Sequence, residues 1–323
     1  MLGPGASCAR QGLLAGAALV AALALPAPAA AVDLSGQKLP RNVKVRALEV
    51  DGIKTRLLVA VPKEQRRARE AVVFLHGFPG SSLDYTRLVS RTGRFARAVA
   101  FDFPGFGRAD KPADLPYTVD SQAAFAHAAL RRLGIRRVHL VGHDYGSFNG
   151  LEWASAHPQR LRSVTLIDGG ILPDEYVGHG FAYASAIPGV GEAFNEARSY
   201  ETFRAGLSPP VHPQLEESFI ARMYEEYDDP GSRRATPRLY RSFGNYRERS
   251  DRWTAALLPY DLPARVLWGE ADPFVPAWIA EYQRQAFPRA DVRVLPDIGH
   301  FPFAEAPRDA RRFIMPFLRK QLR

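Results

Sequence analysis

The segment Val141-Gly142-His143-Asp144-Tyr145-Gly146-Ser147 constrains this chain more than any other. It stands between an apolar run, Val138 to Val141, and a helix-like stretch from Phe148 to Ala156. A strand that turns at once into a helix needs small residues where the two backbones approach, and Gly142 and Gly146 supply them. The tip of such an elbow presents a nucleophile, and here the tip is Asp144.

Aspartate at the tip selects a chemistry. A serine that attacks a saturated carbon would leave an inert ether, whereas a carboxylate leaves an ester that water can hydrolyse. Asp144 therefore points to displacement at carbon rather than to acyl transfer.

The flanking sequence repeats the same rhythm. Val43 to Val50 and Ile53 to Val61 are β-like runs joined at Asp51-Gly52, a hairpin signal. Ala71 to Leu75 is a continuous apolar run suited to a strand buried on both faces, and it leads into His76-Gly77-Phe78-Pro79-Gly80. Strands follow at Ala98 to Phe103, Arg137 to Val141 and Ser163 to Ile167, with a helix over Val119 to Leu133 closed by Gly134. Strands alternating with helices predict an α/β fold with a mostly parallel sheet between helical layers.

From about Ile171 to Trp253 the rhythm breaks into aromatic, Gly- and Pro-punctuated sequence that reads as short helices. It resumes with Ala264 to Trp268, a helix around Ala277 to Ala286, strand Val292 to Leu295 and a last amphipathic helix from about Pro307 to Leu318. The expected organisation is a core of residues 32–170 and 254–323, with 171–253 inserted as a helical cap. A chain of 323 residues has room for one such domain with its insertion and not for two.

Residues 1–31 read as an export signal: Arg10, an apolar core from Leu13 to Leu25, and a small-residue region, Pro26 to Ala31, for cleavage after Ala29 or Ala31. The only cysteine, Cys8, would leave with it. The expectation is a protein exported to the periplasm or outside the cell, with no membrane span in the mature chain. The formal charge of +9 comes mostly from dispersed arginines such as Arg66, Arg132, Arg234 and Arg311, which is a solvated surface rather than a nucleic-acid stripe.

Two further residues stand where an elbow nucleophile needs them. Asp272 follows one strand in Gly269-Glu270-Ala271-Asp272-Pro273, with Glu270 as a rival, and His300 follows the last in Gly299-His300-Phe301. Ligands bind at the carboxyl ends of parallel strands, so Asp144, Asp272 and His300 should converge. With His76-Gly77-Phe78-Pro79, these motifs resemble the α/β-hydrolases, in the branch of epoxide hydrolases and haloalkane dehalogenases.

The resemblance implies roles. Asp144 would form an alkyl-enzyme ester; His300, oriented by Asp272, would activate the water that cleaves it; and the amides of Phe78 and Tyr145 would form the oxyanion hole. It also implies two cap tyrosines to protonate an opening epoxide, and the best matches are Tyr246 and Tyr183, with Tyr176 as a rival for the second. Phe78-Pro79 favours the epoxide branch, while Tyr145 stands where both branches commonly carry tryptophan. The expected substrate is a small hydrophobic electrophile reacting with water, with neither metal nor organic cofactor. Haloalkane dehalogenation by the same covalent route, and a non-catalytic hydrolase-fold binding protein, are the alternatives.

Overall fold

A computed structural model describes residues 39–65, 68–208, 212 and 214–322; the expected signal segment lies outside them. The chain opens with the hairpin β1 (Lys44–Val50) and β2 (Ile53–Ala60). Then follow β3 (Glu70–Leu75), α1 (Thr86–Thr92), β4 (Ala98–Phe101), α2 (Val119–Arg132), β5 (Arg137–His143), α3 (Tyr145–Ala156) and β6 (Leu161–Ile167). Six helices come next: α4 (Gly180–Ala186), α5 (Val190–Glu196), α6 (Tyr200–Ala205), α7 (Glu217–Tyr227), α8 (Pro230–Ser242) and α9 (Tyr246–Leu257). The chain closes with β7 (Ala264–Gly269), α10 (Ile279–Tyr282), β8 (Asp291–Leu295), α11 (Pro302–Glu305) and α12 (Pro307–Gln321).

The strands form one eight-stranded sheet in the order β1-β2-β4-β3-β5-β6-β7-β8. β2 pairs antiparallel with β1 and β4, and every later pairing is parallel. Central strands are buried almost throughout, as Ala71 to Leu75 and Val138 to Val141 require, because helices cover both faces. The order of winding reverses between β3 and β5. That reversal opens a crevice beyond their carboxyl ends, where His76-Gly77-Phe78 and the elbow emerge.

One predicted helix is shorter than its sequence suggests. The stretch Ala277 to Ala286 yields only α10 and a 3-10 turn over Gln283–Gln285. The 3-10 turn begins at Gln283, whose buried side chain accepts from Ile171 N–H at 2.8 Å and donates to Ile171 C=O at 2.7 Å, tying it to the segment after β6.

A buried ion cluster joins α7 to the sheet. Arg56 on β2 pairs with Asp102 at 3.0 Å and with Glu226 of α7 at 2.6 Å. Arg222 of α7 pairs with Asp84 at 2.7 Å and lies 3.7 Å from Glu226. Asp102 also accepts the amides of Ser82 and Arg108, so the cluster braces the turn that follows Phe78. No helix among the described residues is long and apolar enough to cross a membrane.

Candidate active site

The site is built from strand ends. β5 delivers Asp144 in a left-handed backbone conformation, φ 49° and ψ −126°, an unfavourable region for a residue with a side chain. A Cβ on Gly146 would sit 2.0 Å from the Leu75 carbonyl oxygen, and one on Gly142 would sit 2.7 Å from Ser147 Cα. Only glycine at both positions lets α3 start directly beneath the nucleophile.

The two oxygens of Asp144 have different surroundings. Oδ1 accepts the Phe78 N–H at 2.8 Å, and the Tyr145 amide acts on the same carboxylate. Oδ2 lies 3.4 Å from His300 Nε2. On the far side of that ring, His300 Nδ1 lies 2.7 Å from Asp272 Oδ2, while Asp272 Oδ1 accepts the amides of Phe274 and Val275. Asp144, Asp272 and His300 thus converge, and Phe78 and Tyr145 offer their amides to the nucleophile. Glu270 is exposed and has no part in this chain of contacts.

The electrostatics follow from burial and charge. Burial opposes ionisation of Asp144, but the hydrogen bond and charge of His300 outweigh it and hold its pKa below the ordinary carboxylate value. Burial likewise opposes a charge on His300, yet Asp272 and Asp144 outweigh it and raise the imidazole well above its usual pKa. The resting site is therefore an imidazolium between two carboxylates.

Asp168, at the end of β6, gives the sequence reading a neighbour it lacked. It is fully buried, accepts the Gly269 amide through Oδ1 at 2.9 Å, and leaves Oδ2 without a partner. One of its oxygens, one of Asp272 and a ring nitrogen of His300 all lie within 4.8 Å of one another. Burial and then the charge of Asp272 raise its pKa well above the ordinary carboxylate value, behind the His300–Asp272 pair. The signal was in the sequence: Asp168 directly follows the apolar strand β6.

The loop carrying His300 hangs from three acceptors. Glu305 takes the amides of Gly299 and Phe301 at 3.0 and 2.9 Å, and His212 Nδ1, from the segment between α6 and α7, takes that of His300 at 3.3 Å. His143 Nε2–H donates to the His300 carbonyl at 2.7 Å, and burial above all lowers the His143 pKa to about 3, so this ring is a neutral brace. His76 braces the opposite loop, accepting the Phe103 amide on Nε2 at 2.9 Å.

The cap tyrosines expected from sequence do not take the predicted places. Tyr246 opens α9 and spends its hydroxyl on the Tyr176 carbonyl at 2.6 Å. Tyr183 on α4 is 55% exposed. Another tyrosine, Tyr240 in the last turn of α8, packs edge-on against Phe78 at 5.6 Å and Tyr145 at 5.2 Å, the two residues whose amides act on Asp144. Burial, and next the charge of Asp144, push its pKa well above the ordinary value, so it is a protonated donor.

His179 is its companion. The ring lies edge-on to Tyr240 at 6.2 Å and tilted over Phe274 at 4.9 Å. It caps α4 by accepting the Ala182 amide on Nδ1, which places the proton on Nε2. Burial lowers its pKa to about 4, so the ring is neutral at working pH. Tyr176, the rival named from sequence, is buried nearby but gives its hydroxyl to the Phe274 carbonyl at 3.2 Å.

A family model described as alpha/beta hydrolase fold matches residues 70–307 of this sequence. The chain belongs to the α/β-hydrolase fold family. Among curated proteins, this hydrolase-fold chain is similar to the mesoderm-specific transcript homolog protein of Homo sapiens, 31% identical over 263 residues, which covers 77% of this chain and 78% of that one. Among solved structures it is similar to a haloalkane dehalogenase of Agrobacterium tumefaciens, with TM-score 0.73, 23% identity and 87% and 98% of the two chains covered. It is also similar to an epoxide hydrolase of Vigna radiata, with TM-score 0.68, 22% identity and 86% and 98% covered. Identities this low speak to the hydrolase fold, so the substrate must be argued from the site.

Proposed function

We propose that this protein hydrolyses epoxides through an ester on Asp144. The observation that carries the reading is a phenol, Tyr240, packed on Phe78 and Tyr145, whose amides act on Asp144, with the neutral imidazole of His179 against the Tyr240 ring. An opening epoxide develops charge on an oxygen that stays attached to the substrate, and two neutral donors suit it. A departing halide is commonly met by indole N–H, and the four tryptophans are placed elsewhere. Trp253 donates to Glu152, Trp268 donates to the Val275 carbonyl, Trp278 is exposed, and Trp153 packs against His157 and Arg160.

The proposed course follows the two oxygens of Asp144. Oδ2 attacks a ring carbon, the carbon–oxygen ring bond breaks, and its electron pair passes to the ring oxygen. That oxygen takes the Tyr240 proton while His179 Nε2–H donates a hydrogen bond. Esterification removes the Asp144 charge that helped keep His300 protonated, and the His300 proton returns to the Tyr240 phenolate by way of solvent. Neutral His300 then deprotonates a water, the hydroxide adds to the ester carbon, and the oxyanion forms on Oδ1, facing the amides of Phe78 and Tyr145. Collapse expels the diol alkoxide, which takes its proton from His300; the new carboxyl of Asp144 then gives its own proton back to His300. In this reading α4 to α9 act as the cap over the core of residues 32–170 and 254–323, and the leader-like residues 1–31 direct export.

Isotope placement tests the covalent route. One turnover in water enriched in heavy oxygen should give unlabelled diol and labelled Asp144, because the first diol oxygen comes from the carboxylate. Label in the diol with none in Asp144 would mean direct attack by water and would overturn the reading.

The hanging of the His300 loop gives a second expectation. His212→Leu removes the acceptor for the His300 amide, so the base should drift while Asp144 stays in place. Ester hydrolysis should slow about tenfold, the scale of one lost buried hydrogen bond, with attack on the epoxide unchanged. Rapid-quench measurement of the two steps checks it; equal slowing of both would assign His212 a purely structural role.

A further inference from the structure

Ten large hydrophobic residues are strongly exposed among the described residues, and five of them, Val177, Tyr183, Ile187, Val190 and Phe194, fall within one short stretch of the cap. Their exposures run from 40% for Phe194 to 69% for Val177. Scattered apolar residues need no explanation, but half of the total within the one stretch from Val177 to Phe194 does. Helical spacing joins Val190 to Phe194 along α5; Tyr183 lies on α4, Ile187 directly follows that helix, and Gly178, next to Val177, lies against the Tyr183 ring.

This strip is continuous with the nucleophile. Phe194 packs on Phe181 at a centroid distance of 5.5 Å, and Phe181 stacks on Phe78 at 5.6 Å. Phe78 in turn holds Asp144 through its amide. Arg198 lies 4.5 Å from the Phe181 centroid and pins that ring in place. Two ring contacts therefore lead from the oxyanion loop to the protein surface.

We propose that the strip receives the unbranched, uncharged alkyl tail of the substrate, making the preferred substrate a long-chain epoxide whose ring lies at Asp144 and whose chain runs past Phe181 onto α5. The proposal rests on the epoxide reading above. Local charge favours this occupant: the side chains of the strip are uncharged, Asp174 and Glu192 beside them are paired with Arg247 at 3.7 Å and Arg241 at 2.6 Å, and the exposed carboxylates of Glu175 and Glu196 would repel a carboxylated tail.

The test measures kcat/KM of the whole protein for terminal butene, hexene, octene and decene oxides. Burying each added methylene should raise kcat/KM about twofold to fourfold until the chain passes Phe194. In Phe194→Ser, and in Val190→Ser as a second surface variant, the ratio of decene oxide to butene oxide should fall about tenfold. A flat series in the wild-type protein, with butene oxide turned over, overturns the tail site and leaves the epoxide reading standing. A rising series that both variants leave intact also overturns it, as does a fall in molar mass on sedimentation with the slope unchanged, which would make the strip a contact between copies. Failure to turn over or be alkylated by an oxide of any length would instead remove the epoxide reading itself.

Discussion

Replacing His300 with glutamine should yield a protein that consumes one epoxide per chain and stops. Glutamine can fill the space between Asp144 and Asp272, but its amide cannot accept a proton from water, so general-base catalysis is lost, a factor of about 10²–10⁴. Attack by Asp144 needs no base; because the variant loses the His300 hydrogen bond and charge that lower the Asp144 pKa against burial, the reaction is run at alkaline pH, where the carboxyl is ionised without them. Intact mass should therefore rise by the full mass of the epoxide within the time of a normal turnover and stay there. A haloalkane would add its alkyl group without the halogen, so the same variant separates the two branches that share this route. Adding Asp144→Ala should abolish the adduct. Undiminished steady turnover by His300→Gln would show that His300 is not the base.

Removing the two cap donors together should act on the other half of the reaction. Tyr240→Phe and His179→Leu each take away one donor to the opening ring oxygen, and a donor to a developing oxyanion contributes about 10²–10³ in rate. Combined, they should slow alkylation about 10⁴-fold or more, and in the His300→Gln background the adduct should fail to appear. Tyr240→Phe keeps the ring that packs against Phe78 and Tyr145; His179→Leu keeps an apolar side chain against Phe274 but also removes the acceptor that caps α4, so circular dichroism of each variant is the folding control. The comparison that decides is Tyr246→Phe with Tyr183→Phe. If that pair slowed alkylation more than the first, the donors would have been assigned to the wrong side chains.

Those four side chains also mark where sequence stops being readable. Asp144, Asp272 and His300 were legible because each follows an apolar run that can only be a buried parallel strand, and strand ends of one sheet face one crevice. Phe78 was legible for the same reason. The cap offers no such frame, because its helices are short and their rotation depends on how they pack. Tyr240 and Tyr246 are six residues apart with a helix break between them at Phe243, so spacing could not say which hydroxyl turns inward. His179 carried no warning at all: histidine is an unusual helix cap, and its inward turn follows from the bond to the Ala182 amide. His212 and Glu305 act on the backbone of His300, a contact that residue identity cannot announce.

The ion cluster between α7 and the sheet bears on how proteins of this architecture can be recombined. The helices inserted between β6 and β7 look like a cassette for exchange to alter substrate range. Here Arg222 and Glu226 on α7 are matched to Arg56, Asp84 and Asp102 on the core side, and all five are largely shielded from water. A transplanted cap lacking those two residues would strand buried charges on the recipient, at about 3–5 kcal/mol for each broken pair. That is a large share of the stability of an ordinary domain. The unit of exchange is therefore the cap together with those three core positions, and a chimera that ignores them should accumulate as insoluble protein before its substrate range can be asked about.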